Sequence, residues 1–238
     1  GGFTKYCRIP GEILAIHKRA IWEIPEGLEY EEAAVMDPIC NAYKAIAQRS
    51  GLLPGENVVI FGTGPLGLFS VQIAKIMGAL NIVVVGLEED VKVRFGVARQ
   101  LGATEVVNGS VEDVVQRCQE ICGGSDSIGL VVDCAGANIC LKQAIEMVRC
   151  NGEIVRVGMG FKPVGFSIND ISMKAVSIIG HMAYDATSWR NALQLLAAGR
   201  IQVKPMITHR LGLSRWEEGF EAMANKEAIK VILTYDFD

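Results

Sequence analysis

The apolar positions of this chain keep two different periods, and the switch between them repeats. Glu56-Asn57-Val58-Val59-Ile60-Phe61 is a short β-branched run, the pattern of a buried strand. Phe69, Ile73, Ile76 and Met77 then recur at helical spacing until Gly78 stops the turn. The same alternation predicts strand Ile82–Val85, helix Val91–Leu101, strand Glu105–Asn108 and helix Val111–Cys122. Strand Ile128–Asp133, helix Asn138–Val148, strand Glu153–Gly158 and a last strand at Val176–Gly180 follow. Gly78-Ala79 and Gly102-Ala103 each end a helix just ahead of the next strand. Strands that are apolar throughout and alternate with helices imply an α/β fold, a parallel sheet covered on both faces. Six of them in two halves predict the doubly wound arrangement.

The two ends read differently. Phe3 to Pro10 alternates like an edge strand, and Ile13 to Ile16 and Ala20 to Ile24 give two more short extended pieces. Glu31 to Met36 starts a helical stretch, and Asp37-Pro38 marks a break or a helix start before Ile39 to Gln48 resumes. Past the sheet, Trp189, Ala192, Leu193 and Leu196 mark an amphipathic helix ended by Gly199. Ser214 to Glu217 has capping-box spacing and opens a helix with Trp216, Phe220 and Met223 on one face. Ile229 to Leu233 is a closing strand. Strands this short need a sheet to join, so neither end reads as a domain of its own. The expected division is residues 1–30, 31–204 and 205–238.

Composition excludes several classes of function. Half of the 238 residues are apolar, enough for a full core. A net charge of −4 without any Lys/Arg run argues against nucleic acid or an anionic membrane as partner. No apolar stretch approaches the length of a membrane span, and the first residues do not read as a signal peptide. Seven scattered cysteines with no CxxC pair are expected to be reduced thiols, which places the protein in the cytoplasm. Cys118 and Cys122 lie four apart on a helix; lacking other ligand types nearby, they read as packed thiols.

The candidate chemistry sits where the first strand meets the first helix. Gly62-Thr63-Gly64-Pro65-Leu66-Gly67 has GxGxxG spacing in the strand-to-helix context that a dinucleotide fingerprint requires, which makes the fold a Rossmann fold. The first glycine allows the tight turn, the second leaves room for a pyrophosphate, and the third lets helix press on strand. Unpaired amides at the helix start then face the phosphates. At the end of the second strand stand Glu88 and Glu89, where a carboxylate would accept the ribose hydroxyls and repel a 2′-phosphate. That favours NAD, with NADP possible. Arg94 either flanks the adenosine ribose, turns toward a 2′-phosphate, or pairs with an acid one turn back.

The order of motifs resembles the zinc-dependent medium-chain alcohol dehydrogenases, in particular the sorbitol and threonine dehydrogenase branch. The resemblance runs through Gly1-Gly2-Phe3, Met36-Asp37-Pro38, Gly55-Glu56, the fingerprint, Leu101-Gly102-Ala103, Asp133-Cys134-Ala135-Gly136, Val157-Gly158-Met159-Gly160 and Ala228-Ile229-Lys230-Val231. It implies an oxidoreductase passing hydride between a small secondary alcohol or polyol and nicotinamide. It also implies a largely missing catalytic domain, whose Cys and His-Glu zinc ligands are not found in these residues. Zinc is therefore expected in the complete enzyme and not in this fragment, which is expected to be inactive alone. By resemblance, Asp37 falls where the branch places a zinc-ligating Glu; as residues alone, Asp37 before Pro38 reads as a helix cap. The resemblance further sets Asn41 near the nicotinamide, Leu66 behind its ring and Ala135 and Gly136 near the adenosine. Val157-Gly158 and Gly180-His181 would offer backbone to the carboxamide, and Lys230 would approach the pyrophosphate. His181 alone reads as a packed, hydrogen-bonded histidine, while His17 and His209 fall in the end segments. Family members pair their sheet edges, so Val176–Gly180 is expected to form a homo-oligomer contact. Two alternatives stand beside this reading: a zinc-free NADPH-dependent quinone or enoyl reductase, and a non-enzymatic nucleotide-binding module.

Overall fold

Residues 2–237 are described by the computed structural model. Contacts divide the chain into two units, Gly1–Met36 with Leu193–Asp238, and Asp37–Ala192.

In the first unit, none of the three extended pieces expected before residue 30 forms a strand. Gly11–Ile16 is a short helix, α1, entered from Pro10 at φ −60°, and its flanks are bends and coil. A strand must place its N–H and C=O groups on a neighbour. No sheet among the described residues includes these, and Tyr6 and Ile16 stay 83% and 74% exposed. Helix α2 (Tyr30–Ala33) carries Glu31, whose carboxylate takes both Nε and Nη2 of Arg210 at 2.7 and 2.8 Å.

In the second unit, α3 (Met36–Tyr43) runs into a π-helical turn over Lys44–Gln48. Pro38 lies in the first turn of α3, where its missing N–H costs no hydrogen bond. The break therefore precedes Met36, and Asp37 is inside the helix instead of capping it. The sheet follows: β1 (Asn57–Phe61), β2 (Ile82–Gly86), β3 (Glu105–Asn108), β4 (Ile128–Asp133), β5 (Glu153–Arg156) and β6 (Ser177–Gly180). All pairings are parallel, in the order β3-β2-β1-β4-β5-β6. This is the doubly wound fold, with the order reversing between β1 and β4.

Helices α4 (Pro65–Ile76), α5 (Arg94–Leu101), α6 (Val114–Cys122), α7 (Asn138–Met147) and α8 (Ile168–Ser172) connect the strands. Every residue of β1, β2 and β4 is buried, as all-apolar strands covered on both faces must be. Cys118 and Cys122 pack in the same core as Val59, Phe61, Val107 and Ile154. Burial drives their thiol pKa values up to about 12 and about 11.

Several element ends differ from the expectation, each for a local reason. Helix α5 starts at Arg94, because Glu88–Asp90 form a 3-10 turn in which Asp90 accepts the Leu87 amide at 2.8 Å. Helix α6 starts at Val114, because Asp113 caps it by accepting Gln116 N at 3.0 Å. Strand β5 stops at Arg156, since the amides of Val157 and Gly158 both turn to the carbonyl of Asp133.

The chain ends with α9 (Ala186–Ala197), β7 (Ile207–Gly212), α10 (Trp216–Ala224) and β8 (Lys230–Thr234). Strands β7 and β8 pair in parallel, and Gly219 of α10 packs against Val231 and Leu211. Ser214 does not cap α10. Leu213–Arg215 form a 3-10 turn, Arg215 precedes the helix, and the Ser214 hydroxyl donates to Asp236 Oδ2 at 2.5 Å.

Candidate functional site

The corner after β1 has the geometry that its residues imply. Gly62 sits at φ +102°, a left-handed conformation that strongly favours glycine, and its vacant side-chain position faces the backbone of Cys134 and Ala135. A Cβ on Gly67 would collide with the carbonyl oxygen of Gly62, so only glycine lets α4 lie this close to the strand. Gly64 is different. Its φ of −73° suits any residue, and the position its Cβ would take is open, with nothing within 4 Å.

Leu68 N donates to Gly64 O at 3.0 Å, the first bond of α4. The amides of Leu66 and Gly67 precede it, and Pro65 has none to offer. An open cradle beside the start of a 12-residue helix is where an anion is best received. The residues present therefore fit a pyrophosphate.

The acidic end of β2 is more structured than the sequence suggests. Asp90 is buried and holds both Leu87 N and, at 3.3 Å, Nη1 of Arg94. Of the three roles weighed for Arg94, pairing with an acid one turn back is the one observed. Glu88 is exposed, and its Oε2 accepts Asn108 Nδ2 at 2.6 Å while its amide donates to Ser110 Oγ. Asn108, at the end of β3, thus aims Glu88. Sequence reasoning missed it, although an asparagine closing a strand beside the acidic turn is a readable signal. Glu89 is exposed on the same turn.

On the other side of β1, Ala135 and Gly136 leave β4 and Val157 and Gly158 leave β5, and the two loops touch. Gly180 ends β6, with its carbonyl accepting Arg49 Nη2 at 3.2 Å. Nε2 of His181 lies 3.1 Å from Asn41 Oδ1. Asn41 Nδ2 already donates to Asp37 O at 3.0 Å, so its oxygen accepts and the imidazole is protonated on Nε2. Burial lowers the His181 pKa below its ordinary value, and the charges of Lys44 and Arg49 lower it further. The packed, hydrogen-bonded reading of His181 is what the structure shows. Lys230 lies in β8, in the first unit.

Asp37 is exposed, and Asn41 Nδ2 lies 3.4 Å from its Oδ2. Among the described residues no group of three or more His, Cys, Asp or Glu side chains could hold a metal ion. One carboxylate cannot complete a tetrahedral zinc site, so these residues do not fit zinc by themselves.

Comparison with known proteins gives consistent results. The chain is 73% identical over 238 residues to the uncharacterized zinc-type alcohol dehydrogenase-like protein YdjL of Escherichia coli (strain K12), covering 100% of this chain and 66% of that one. It is 30% identical to a sorbitol dehydrogenase of Halalkalibacterium halodurans, covering 98% of this chain and 65% of that protein. The crystal structure of 2R,3R-butanediol dehydrogenase from Bacillus subtilis superposes with a TM-score of 0.81 at 29% identity, over 90% of this chain and 60% of that one. The chain thus spans about 60–66% of the length of these relatives. Residues 65–198, more than half of the chain, match the family model described as zinc-binding dehydrogenase, and the chain belongs to that family.

Proposed function

We propose that this chain is the cofactor-binding part of an NAD-dependent alcohol or polyol dehydrogenase. Residues 31–204 form the dinucleotide domain, and residues 1–30 and 205–238 are pieces of a catalytic domain. The grouping of both chain ends in one unit supports a common domain for them, with the other unit drawn tighter than 31–204, at Asp37–Ala192. The observation that carries the reading is the corner at Gly62–Gly67, with an open Gly64 at the start of α4. Nicotinamide, when bound, supplies the hydride acceptor. This chain's residues grip the pyrophosphate at Gly64–Gly67, hold the adenosine ribose with Glu88 or Glu89, and back the ring with Leu66. Ala135 and Gly136 lie toward the adenosine, and Val157 and Gly158 shape the nicotinamide side with Gly180, His181 and Asn41. Zinc, with Asp37 as at most one ligand, belongs to the longer protein that the relatives represent.

NAD is favoured over NADP because the carboxylate of Glu88 is held at the end of β2 while Arg94 is committed to Asp90. Titration of the 238-residue chain with NADH and with NADPH tests this. NADH should bind the more tightly; equal affinity or a preference for NADPH would refute the preference, and binding of neither would refute the site. The chain alone should oxidise no alcohol, and measurable turnover by it would refute the fragment reading.

The partner we infer is a second copy through β6, the last strand of the sheet, where Ile178 is exposed. Ile178→Lys should then lower the mass seen by sedimentation. Among the described residues no helix is long and apolar enough to cross a membrane. All seven cysteines are free, which supports placement in the cytoplasm.

A further inference from the structure

The loops leaving β4 and β5 are joined by a single buried carboxylate. Asp133, the last residue of β4, is fully buried. Its Oδ1 accepts the amides of Ala135 and Gly136 at 3.0 and 2.9 Å, and its carbonyl accepts those of Val157 and Gly158 at 2.9 and 2.8 Å. Its Oδ2 takes Nη1 of Arg156, the last residue of β5. The other arm of the guanidinium, Nη2, donates to Gly136 O at 2.6 Å. Around this centre the backbones are in contact: a Cβ on Gly136, Gly158 or Gly160 would strike the opposite loop. The two loops are thus one piece, held in register by the planar fork of Arg156.

A buried ion pair is a poor device for stability, because desolvation offsets most of its attraction and an apolar pair of similar volume often serves as well. What it supplies is geometry: a guanidinium fixes two acceptors in one plane. The geometry used here is that of a loop pair whose β4 member, at Cys134 and Ala135, packs against the vacant side-chain position of Gly62. In a doubly wound sheet the dinucleotide spans the crevice where the strand order reverses. The acidic end of β2 lies to one side of β1 and the loop of β5 to the other.

We propose that Arg156 is a positioning residue for the nicotinamide half of the dinucleotide, setting the backbone of Val157–Gly158 through Asp133 and Gly136. This rests on the reading that the corner binds a dinucleotide. The adenosine diphosphate half depends on Arg156 less, because on that side only Ala135 and Gly136 are tied to it through Asp133, while the Gly64–Gly67 corner and Glu88 lie outside its hydrogen bonds.

The test compares NADH with ADP, which lacks the nicotinamide half, by calorimetric titration of the 238-residue chain and of Arg156→Gln and Arg156→Lys. Arg156→Gln should weaken NADH about tenfold, the equivalent of one good hydrogen bond, and ADP by less than about twofold. Arg156→Lys keeps the charge but not the fork, and should fall between. If Arg156→Gln does not fold because Asp133 is left unpaired, Asp133→Asn combined with Arg156→Gln carries the same comparison. The side-chain amide introduced at position 133 would keep an oxygen for the backbone amides of Ala135 and Gly136. Equal weakening of NADH and ADP, or none of either, overturns the proposal with the dinucleotide reading intact. A parent chain that binds neither ligand overturns the dinucleotide reading and the positioning role together.

Discussion

Gly64→Ala and Gly67→Ala separate the two jobs of the β1 corner, and the structure gives them opposite signatures. At Gly67 the new methyl meets the carbonyl of Gly62, which is backbone and cannot rotate away, so α4 must shift off the strand. Overpacking of this kind costs about 1–3 kcal/mol. For a chain this long each kcal/mol lowers Tm by about 2–4 °C, so a fall of about 2–12 °C is expected. At Gly64 the methyl meets nothing, and φ −73° needs no glycine. Loss of a good N-cap residue costs a few tenths to about 1 kcal/mol, and reduced freedom of the unfolded chain returns about the same. The net change in stability should be near zero.

Binding should show the reverse weighting. A methyl on Gly64 takes up open space at the start of α4, the space that the proposed pyrophosphate site requires. NADH affinity should drop at least tenfold in Gly64→Ala while Tm stays within about 2 °C, the equivalent of about 1.4 kcal/mol lost in binding alone. Calorimetric titration and differential scanning calorimetry on the same preparations provide both numbers. Unchanged NADH affinity in Gly64→Ala would refute the assignment of the corner to the pyrophosphate. An undiminished Tm in Gly67→Ala would refute the argument for close helix-strand packing.

Lys174 donates from Nζ to the carbonyls of Ile145, Glu146 and Val148 at 3.1, 2.6 and 3.0 Å, closing the C-terminal end of α7. Lys174→Met should cost about 2–3 kcal/mol in urea unfolding, and an unchanged midpoint would contradict that role. Thiol titration at pH 8 should find two fast groups, the exposed Cys7 and Cys150, and five that react only on unfolding. Burial holds the thiols of Cys40, Cys118 and Cys134 up at about 12 and those of Cys122 and Cys140 at about 11. More than two fast equivalents would refute this. His181 has its pKa depressed below 6.5 in the folded chain, so between the two values the unfolded chain binds more protons. Stability should therefore fall as pH drops through 6.5, the loss completing below the folded value. His181→Gln should flatten the slope just below pH 6.5, and an unaltered slope there would exclude His181 as its source.

How far the fold could be read from the sequence depended on where each segment finds its hydrogen-bond partners. Val58–Phe61, Ile82–Val85 and Ile128–Asp133 are buried on both faces, so their apolar runs alone identify them, and the six-strand order follows from the βα repeat. Phe3–Pro10 has as good an alternation as many strands, yet it forms none, because alternation describes a face and does not supply a neighbour. Ile207–Gly212 fails in the opposite sense. Its Thr208-His209-Arg210 centre looks like a loop, and it becomes a strand by pairing with Lys230–Thr234.

The site divides along the same line. Glycine requirements are backbone facts, legible from spacing: Gly62 takes the left-handed turn, Gly67 allows the close helix-strand approach, and the side-chain position of Gly64 is open. Side-chain partnerships across strands are not legible in that way. Arg94 has three plausible roles in the sequence, and only the buried Asp90 selects one of them. Neither Asn108 beside Glu88 nor Arg156 across Asp133 is adjacent in sequence to its partner. In parallel sheets the last residues of neighbouring strands are brought together at one edge while being about 20 or more positions apart along the chain. A polar residue that closes such a strand is therefore better read against the final residue of the next strand than against its own neighbours. By that rule, Asp133 points to Arg156, and Asn108 points to the end of β2 at Gly86, just ahead of its partner Glu88, once the strand order is known.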